Sequence, residues 1–149
     1  MAELALSVDI DAPPEVVFDA LTDWTGQHEW MAGTNVRVSS GDGRSVGSRI
    51  LARTAAGPVG FDDPMEITGW ERPKRVQVHH LGRVVRGDGV FEVEALPDGR
   101  SRFHWVEWIE VPLGTFGLVG FTLTRPVMAR AILPSLRSFA RWAERRAAG

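Results

Sequence analysis

The sequence lacks cysteine, long apolar runs and a signal-peptide pattern, and each absence narrows the class of protein. Without cysteine, a disulfide framework and a cysteine-ligated metal site are both excluded. No run comes close to the ~20 apolar residues that a membrane-spanning helix needs. The N-terminus carries neither the basic segment nor the apolar core of a signal peptide. We therefore expect a cytoplasmic protein without a membrane span.

Catalytic and metal-binding motifs are absent or out of context. Residues 43–47 formally match the G-x-S-x-G nucleophile motif, yet they lead into a strand-like run, whereas that motif requires a helix to follow. His79 and His80 are adjacent, so on a strand they would point to opposite faces and could not share a metal ion. We expect no metal and no cofactor.

The composition is that of one soluble globular domain, and the charge is unevenly distributed. The chain has 149 residues, of which 44% are hydrophobic and 24% charged, and we expect one domain over residues 1–149. Residues 118–149 hold six arginines and one glutamate, a net charge of +5, which leaves −7 for the rest of a chain of net −2. The basic segment either attracts anionic lipid or nucleic acid, or forms a solvated face that complements an acidic body. The acidic body argues against a nucleic-acid partner.

The N-terminal residues predict a strand followed at once by two short helices. In residues 4–10 the residues Leu, Leu, Val and Ile recur at every second position, as in a strand that covers a core with one face. Residues 13–15, Pro-Pro-Glu, are typical of a first helical turn. A second helical piece is expected at 25–31, ended by Gly33.

The middle of the chain predicts an antiparallel sheet, because its strand-like runs are joined by short, turn-rich segments without crossover helices. The runs are 35–40, 48–54, 65–71, 75–81, 84–96 and 101–111.

A long amphipathic helix is expected from about Leu118 to Arg146. Its apolar stripe either lines a pocket or fills a core, and consists of Phe121, Met128, Ile132, Leu136, Phe139 and Ala143. Pro126 and Pro134 should each start, kink or break the helix, because proline removes a backbone donor. Residues 114–126 are therefore expected to form a separate segment.

The order of these elements and several stretches of sequence resemble the helix-grip fold of the START and polyketide-cyclase superfamily, SRPBCC. The stretches are IDAPPEVVFDALTDW at 10–24, Trp30, VGSRI at 46–50, WERPKRVQV at 70–78 and SRFHWVEWIEVP at 101–112. The resemblance covers essentially the whole chain. It implies an α+β fold in which an antiparallel sheet of about seven strands wraps around the long C-terminal helix. It also implies a cavity between sheet and helix.

The hairpin around Pro97-Asp98-Gly99 predicts the direction of a carboxylate. A type I turn with Gly99 in a left-handed bulge position sets Ala95 opposite Ser101. The same register puts three further pairs on the apolar side: Val93 with Phe103, Phe91 with Trp105 and Gly89 with Glu107. Glu107 is then an inward carboxylate, where the family usually shows an apolar residue. It would act as a proton donor or acceptor or pair with an arginine, whereas a four-residue loop would expose it to solvent.

His80 is the second candidate catalytic residue beside Glu107. Alternation with Val76 and Val78 places it on an apolar face, where it either binds a ligand hydroxyl or is a hydrogen-bonded core residue. For the tryptophans near the short helices and for the helix stripe, the alternative to a ligand contact is core packing. The candidate ligand pocket comprises Trp24, His28, Trp30, Gly89, Phe91, Val93, Phe103, Trp105, Ile109, Phe121, Met128, Ile132 and Leu136.

The resemblance implies that the chain binds a hydrophobic small molecule, such as a polyketide, a lipid or an aromatic ring compound. It would act as a polyketide cyclase or dehydratase, or as a non-catalytic carrier or sensor with the same pocket. A third alternative is a protein-interaction module that works through the basic helix, which predicts a pocket filled by the protein's own side chains. The protein would be a monomer or a homodimer.

Overall fold

The computed structural model describes residues 2–110 and 113–149, so the expected strand residue Val111 and the end of the last matching stretch, Pro112, lie outside the described residues. The elements are β1 Ala2–Ile10, α1 Pro14–Leu21, a 3₁₀ helix Trp24–Glu29, β2 Thr34–Ser40, β3 Arg49–Ala56, β4 Val59–Glu71, β5 Arg75–Leu81, β6 Arg86–Ala95, β7 Ser101–Ile109 and α2 Gly114–Ala148. This order confirms the predicted one.

The strands form one sheet in the order β1-β7-β6-β5-β4-β3-β2. All neighbouring strands are antiparallel, as the short connections predict. The first strand pairs with the last, so that Leu4 faces Glu107 and Val8 faces Phe103. The seven-stranded sheet with a long C-terminal helix confirms the predicted fold class.

The core lies where α1 and the C-terminal half of α2 pack against the sheet. Helix α1 buries Val17, Phe18, Ala20 and Leu21, and α2 buries Leu136, Phe139, Ala140 and Ala143. The Phe139 ring lies 4.9 Å from the Trp30 ring and 5.3 Å from the Phe103 ring, both edge-on. Such aromatic pairs add to the stabilisation from burial of their apolar area.

Strand β4 begins six residues earlier than predicted, at Val59 instead of Met65. Pro64 suggests a strand boundary in the sequence, because proline cannot donate to a ladder. In the structure Pro64 pairs with Leu51 of β3 and lies one residue before Met65, where the pairing with β5 begins. The missing N–H of Pro64 therefore removes little of the strand's hydrogen bonding. The strand continues through the proline, so that Asp63 belongs to the sheet.

Helix α2 runs without interruption from Gly114 to Ala148, so the expected separate segment at 114–126 is wrong. Both Pro126 and Pro134 lie inside it. Its N-terminal half projects from the fold, and exposes Phe116, Leu118, Val119, Leu123 and Val127.

This helix also corrects the expectation that no segment is apolar enough to cross a membrane. By length and composition alone, α2 qualifies, with a mean hydropathy of 1.3 over an 18-residue window of which no residue is buried. The apolar residues of this helix do not form an unbroken run in the sequence, because two arginines interrupt them. The C-terminal half of the same helix forms part of the core.

The β6–β7 turn differs from the predicted type I turn, although its register is as predicted. Asp98 and Gly99 both have positive φ, 65° and 73°, as in a type I′ turn. Ala95 still pairs with Ser101 and Gly89 with Glu107. An Asp-Gly pair adopts this left-handed geometry readily, and it suits the right-handed twist of a hairpin.

We expect Phe139→Ala to lower the free energy of unfolding by about 3–5 kcal/mol, because it removes a fully buried ring from the centre of the aromatic core. Urea denaturation followed by tryptophan fluorescence measures this change. Arg141→Ala, an exposed substitution on the same helix, is the matched control and should change stability by less than about 0.5 kcal/mol. Equal effects of the two substitutions would contradict the assigned packing of α2.

Candidate functional site

A cavity of about 500 Å³ lies between the sheet and α2. Its walls are mainly apolar, and all seven strands of the sheet contribute, together with the 3₁₀ helix and one residue of α2, Ile132. The predicted site residues that line it are Trp24, His80, Gly89, Phe91, Trp105, Glu107, Ile109 and Ile132.

The other predicted pocket residues lie elsewhere. His28 is exposed and contacts the Thr25 carbonyl and Glu29, because the short helix turns its ring away from the cavity. Phe121 and Met128 lie beyond Ile132 on the projecting half of α2, and are partly exposed. The four residues that fill the core instead of lining the cavity are Trp30, Val93, Phe103 and Leu136. For Trp30 and Leu136 the structure favours the core-packing alternative, whereas Val93 and Phe103 were expected only as pocket residues and lie in the core instead.

Three titratable side chains meet at the cavity wall. The His80 Nδ1 atom lies 2.9 and 3.1 Å from the two carboxylate oxygens of Asp63. Its Nε2 atom lies 3.0 Å from Oε2 of Glu107. The side chains are nearly buried, with 5% of His80 and 13% of each carboxylate exposed. We call Asp63, His80 and Glu107 the polar trio.

The geometry of the polar trio favours a charged imidazolium. Each His80 ring nitrogen faces a carboxylate, so a neutral ring would direct a lone pair at one of the two. Burial by itself lowers the pKa of His80, but the hydrogen bonds from the ring to Asp63 and Glu107, together with their charges, outweigh burial and raise that pKa to about 10. His80 is thus a cation at neutral pH, held by two anions.

Glycine on β6 allows His80 and Glu107 to meet. His80 on β5 and Glu107 on β7 are separated by the intervening strand, where their paired residues are Gly87 and Gly89. A Cβ atom at Gly89 would lie 2.8 Å from the Glu107 carboxylate oxygens. At Gly87, where φ is +119°, a Cβ atom would overlap the Trp108 carbonyl oxygen. A side chain at either position would therefore collide with β7. The absence of a side chain at Gly89 also provides the space in which the Glu107 carboxylate lies.

Glu107 is further oriented by its neighbour on the same face of β7. The Trp105 indole N–H donates a 2.9 Å hydrogen bond to Oε1 of Glu107, while Oε2 faces His80. The pairing partner is thus a histidine and not the arginine considered as an alternative. Burial in an apolar cavity makes such partners necessary, because an unpaired carboxylate there would be costly.

Asp63 is the member of the polar trio that was not predicted from the sequence. With β4 expected to begin at Met65, Asp63 falls in a predicted loop. Yet Phe61, Asp63 and Met65 occupy alternate positions, and all three line the cavity. An extended period-2 pattern through Pro64 would have found it.

Trp24 lines the cavity on the side of the 3₁₀ helix. Its indole N–H donates a 2.8 Å hydrogen bond to the Gly43 carbonyl oxygen, so its edge is tied to the loop before β3. That loop is the one matching G-x-S-x-G, and it leads into β3, which agrees with its dismissal as a nucleophile motif.

A second cleft, of about 680 Å³, differs in chemistry. It is lined by exposed ion pairs, Asp19 with Arg72 and Asp23 with Arg146. Exposed ion pairs of this kind contribute little to the free energy of unfolding, because water solvates and screens their charges. In residues 2–110 and 113–149 no group of three or more ligand-type side chains is arranged to hold a metal ion. The apolar cavity with its polar trio is therefore the candidate site.

The raised pKa of His80 predicts a pH-dependent contribution to stability. Because the pKa is higher in the folded state, the stabilisation is complete below the unfolded value of about 6.5 and is lost as pH rises through about 10. We expect the stability difference between the natural protein and His80→Gln to be largest at pH 6 and to shrink by pH 9.5. Urea unfolding across this range measures it.

His79→Gln is the matched control. His79 is the neighbour of His80 on β5, and it pairs with Asp88 of β6 on the exposed face of the sheet. His79→Gln should change the free energy of unfolding less than His80→Gln does at every pH, since solvent screens the pair of His79 with Asp88. A His80 ring that titrates near its ordinary pKa in an NMR titration would refute the assignment.

The whole fold has relatives among known structures. TTHA0849 from Thermus thermophilus is 18% identical, with a TM-score of 0.75 over 95% of this chain and 97% of that protein. MLL2253 from Mesorhizobium loti is 17% identical, with a TM-score of 0.69 over 97% of this chain and 98% of MLL2253. The di-domain ARO/CYC protein BexL from the BE-7585A biosynthetic pathway is 16% identical, with a TM-score of 0.74 over 95% of this chain and 46% of BexL. These likenesses show the shared fold.

No curated protein matches the sequence. A family model described as polyketide cyclase / dehydrase and lipid transport matches residues 1–144, nearly the whole chain. The chain therefore belongs to the polyketide cyclase/dehydrase and lipid transport family.

Proposed function

We propose that the protein binds an apolar ring compound of the polyketide type in the cavity between the sheet and α2. The observation that carries this proposal is a mainly apolar cavity of about 500 Å³ with one cluster of polar groups at its wall. Small-molecule sites typically measure about 300–1,000 Å³ and combine apolar walls with a few placed polar groups. The family and the ARO/CYC relative support the same class of ligand.

The cavity walls favour flat rings over a flexible chain. Phe61, Phe91 and Trp105 line the cavity, and the Phe91 and Trp105 rings stand edge-on at 5.5 Å. Aromatic walls of this kind offer ring faces and edges for stacking. A cavity of this size also disfavours the interaction-module alternative, which predicts a space filled by side chains. The oligomeric state and the cytoplasmic location stay predictions.

We expect Val78→Trp to weaken binding of 1,8-dihydroxyanthraquinone, a neutral tricyclic probe, by at least about tenfold, because the larger side chain occupies the cavity. Quenching of tryptophan fluorescence on titration measures the affinity. Gln77→Trp, at the neighbouring position on the opposite face of β5, is the matched control and should bind like the natural protein. Similar affinities of the two variants would place the probe outside the cavity.

The polar trio favours a second candidate, catalysis of ring closure by a cyclase or dehydratase. Glu107 would remove a proton from a methylene group between two carbonyls of a bound polyketone. The carbanion would then attack another carbonyl carbon of the same chain, forming the C–C bond and an alkoxide. Once Glu107 is protonated, its negative charge no longer holds the Nε2 proton of His80, so the imidazolium would donate that proton to the alkoxide. Later loss of water would give the unsaturated ring.

The geometry supports this division of roles. Glu107 and His80 both line the cavity, and they hydrogen-bond each other, so that a proton delivered to Glu107 can replace the one that His80 gives up. An imidazolium with a pKa of about 10 is still far more acidic than an alcohol, so its proton transfer to an alkoxide is favourable. The carrier or sensor alternative uses the same cavity without this step.

We expect Glu107→Gln to lower the single-turnover rate of cyclisation of a poly-β-ketone thioester by about 10²–10⁴-fold, because the amide cannot accept the proton. The appearance of the aromatic product, followed by absorbance, measures the rate. Asp88→Asn, on the exposed face of β6, removes a carboxylate outside the cavity and should leave the rate unchanged. If Glu107→Gln retains both its fold and its rate, Glu107 is not the base of the reaction. If the natural protein gives no rate above background, the cyclase candidate fails and the carrier or sensor alternative stands.

A further inference from the structure

We propose that the cavity selects ligands whose polar group donates a hydrogen bond and carries no negative charge, and that it rejects carboxylates. This inference rests on the proposed function of the cavity and specifies its ligand further. The selected class contains ring alcohols, phenols and protonated amines. The rejected class contains fatty acids and ring carboxylic acids of the same apolar size.

The first observation is the charge at the polar end of the cavity. Asp63 and Glu107 contribute two carboxylates, and His80 contributes one cation, which leaves a net formal charge of −1. Among the described residues, the cavity wall includes no arginine or lysine. A carboxylate ligand would therefore bring a second net negative charge into an apolar, nearly buried environment, where opposite-charge pairing is required.

The second observation is that the donors of the polar trio and its neighbour are already used. Both His80 ring nitrogens bond to carboxylates, and the Trp105 indole N–H donates to Glu107. The Trp24 indole N–H donates to the Gly43 carbonyl outside the cavity. What the polar end offers to a ligand is therefore acceptor lone pairs on carboxylate oxygens, which match an O–H or N–H donor.

The remaining polar side chains of the cavity are partly committed elsewhere. Thr34 and Thr54 share a hydrogen bond of 3.2 Å with each other, and the Gln27 amide donates to the sulfur of Met31. These groups are neutral, so they do not alter the net charge of the wall. A donor group on the ligand would satisfy the carboxylates, whereas an anionic group would repel them, which is how sites achieve specificity against a close analogue.

Three ligands with one ring system test the inference: naphthalen-2-ylmethanol, naphthalen-2-ylmethylammonium and 2-naphthoate. In titration calorimetry at pH 7.5, the alcohol and the ammonium should bind at least about tenfold more tightly than the carboxylate. A tenfold difference in Kd corresponds to the contribution of about one well-placed hydrogen bond. The three ligands share their apolar ring, so the comparison isolates the head group.

Glu107→Gln should reduce the difference in affinity between the carboxylate and the other two ligands. The substitution removes one negative charge and adds an amide donor at the cavity wall. This difference in affinity is called the gap below. We expect binding of 2-naphthoate to this variant to strengthen by about tenfold relative to the alcohol. Asp63→Asn is the second variant, in case Glu107→Gln lowers the melting temperature too far for titration. Asp88→Asn, whose carboxylate pairs with His79 on the opposite face, is the control and should leave the gap unchanged.

The outcomes separate the inference from the proposed function. If 2-naphthoate binds the natural protein as tightly as the other two ligands, the inference is wrong while ligand binding in the cavity stands. A gap that Asp88→Asn narrows as much as Glu107→Gln would also refute it, because the selection would then come from the surface charge. If none of the three ligands binds, the proposed function fails, and the inference with it.

Discussion

The packing of half a helix on one face of the sheet is the constraint on which the rest of the molecule depends. Phe139 inserts between Trp30 and Phe103, and Leu136 and Ala143 extend this contact along α2. One turn before Leu136, Ile132 faces the cavity, and the helix residues before it do not line the cavity wall. Because the core ends there, the part of the sheet face beyond it borders an open cavity.

The polar trio follows from this open surface. Its members come from β4, β5 and β7, so no local segment holds them together. Their contact depends on a sheet register that places Gly89 beside Glu107, and on a β6 backbone without a side chain at that point. Three titratable groups in a mainly apolar wall are stable only when each has a partner of opposite charge or a hydrogen bond. The proposed rejection of carboxylate ligands rests on the same condition.

Local patterns predicted much of the fold and part of the site. The period-2 pattern of β5 gave the inward direction of His80, and the β6–β7 turn gave that of Glu107, although the turn is of another type than predicted. Helical periodicity could not separate Phe121 and Met128 from Ile132, because one stripe continues from a packed segment into a projecting one. Asp63 was missed because Pro64 usually marks the end of a strand.

The sequence by itself determined the element order, the antiparallel sheet and the faces of most strands, because these depend on local periodicity, turns and the pairing register of one hairpin. Only the tertiary structure decided which apolar residues fill the core and which border the cavity, since that depends on where α2 stops contacting the sheet. It also decided that His80 is shared by Asp63 and Glu107. Such a contact joins residues 17 and 27 positions apart, and no local pattern specifies a distance of that kind.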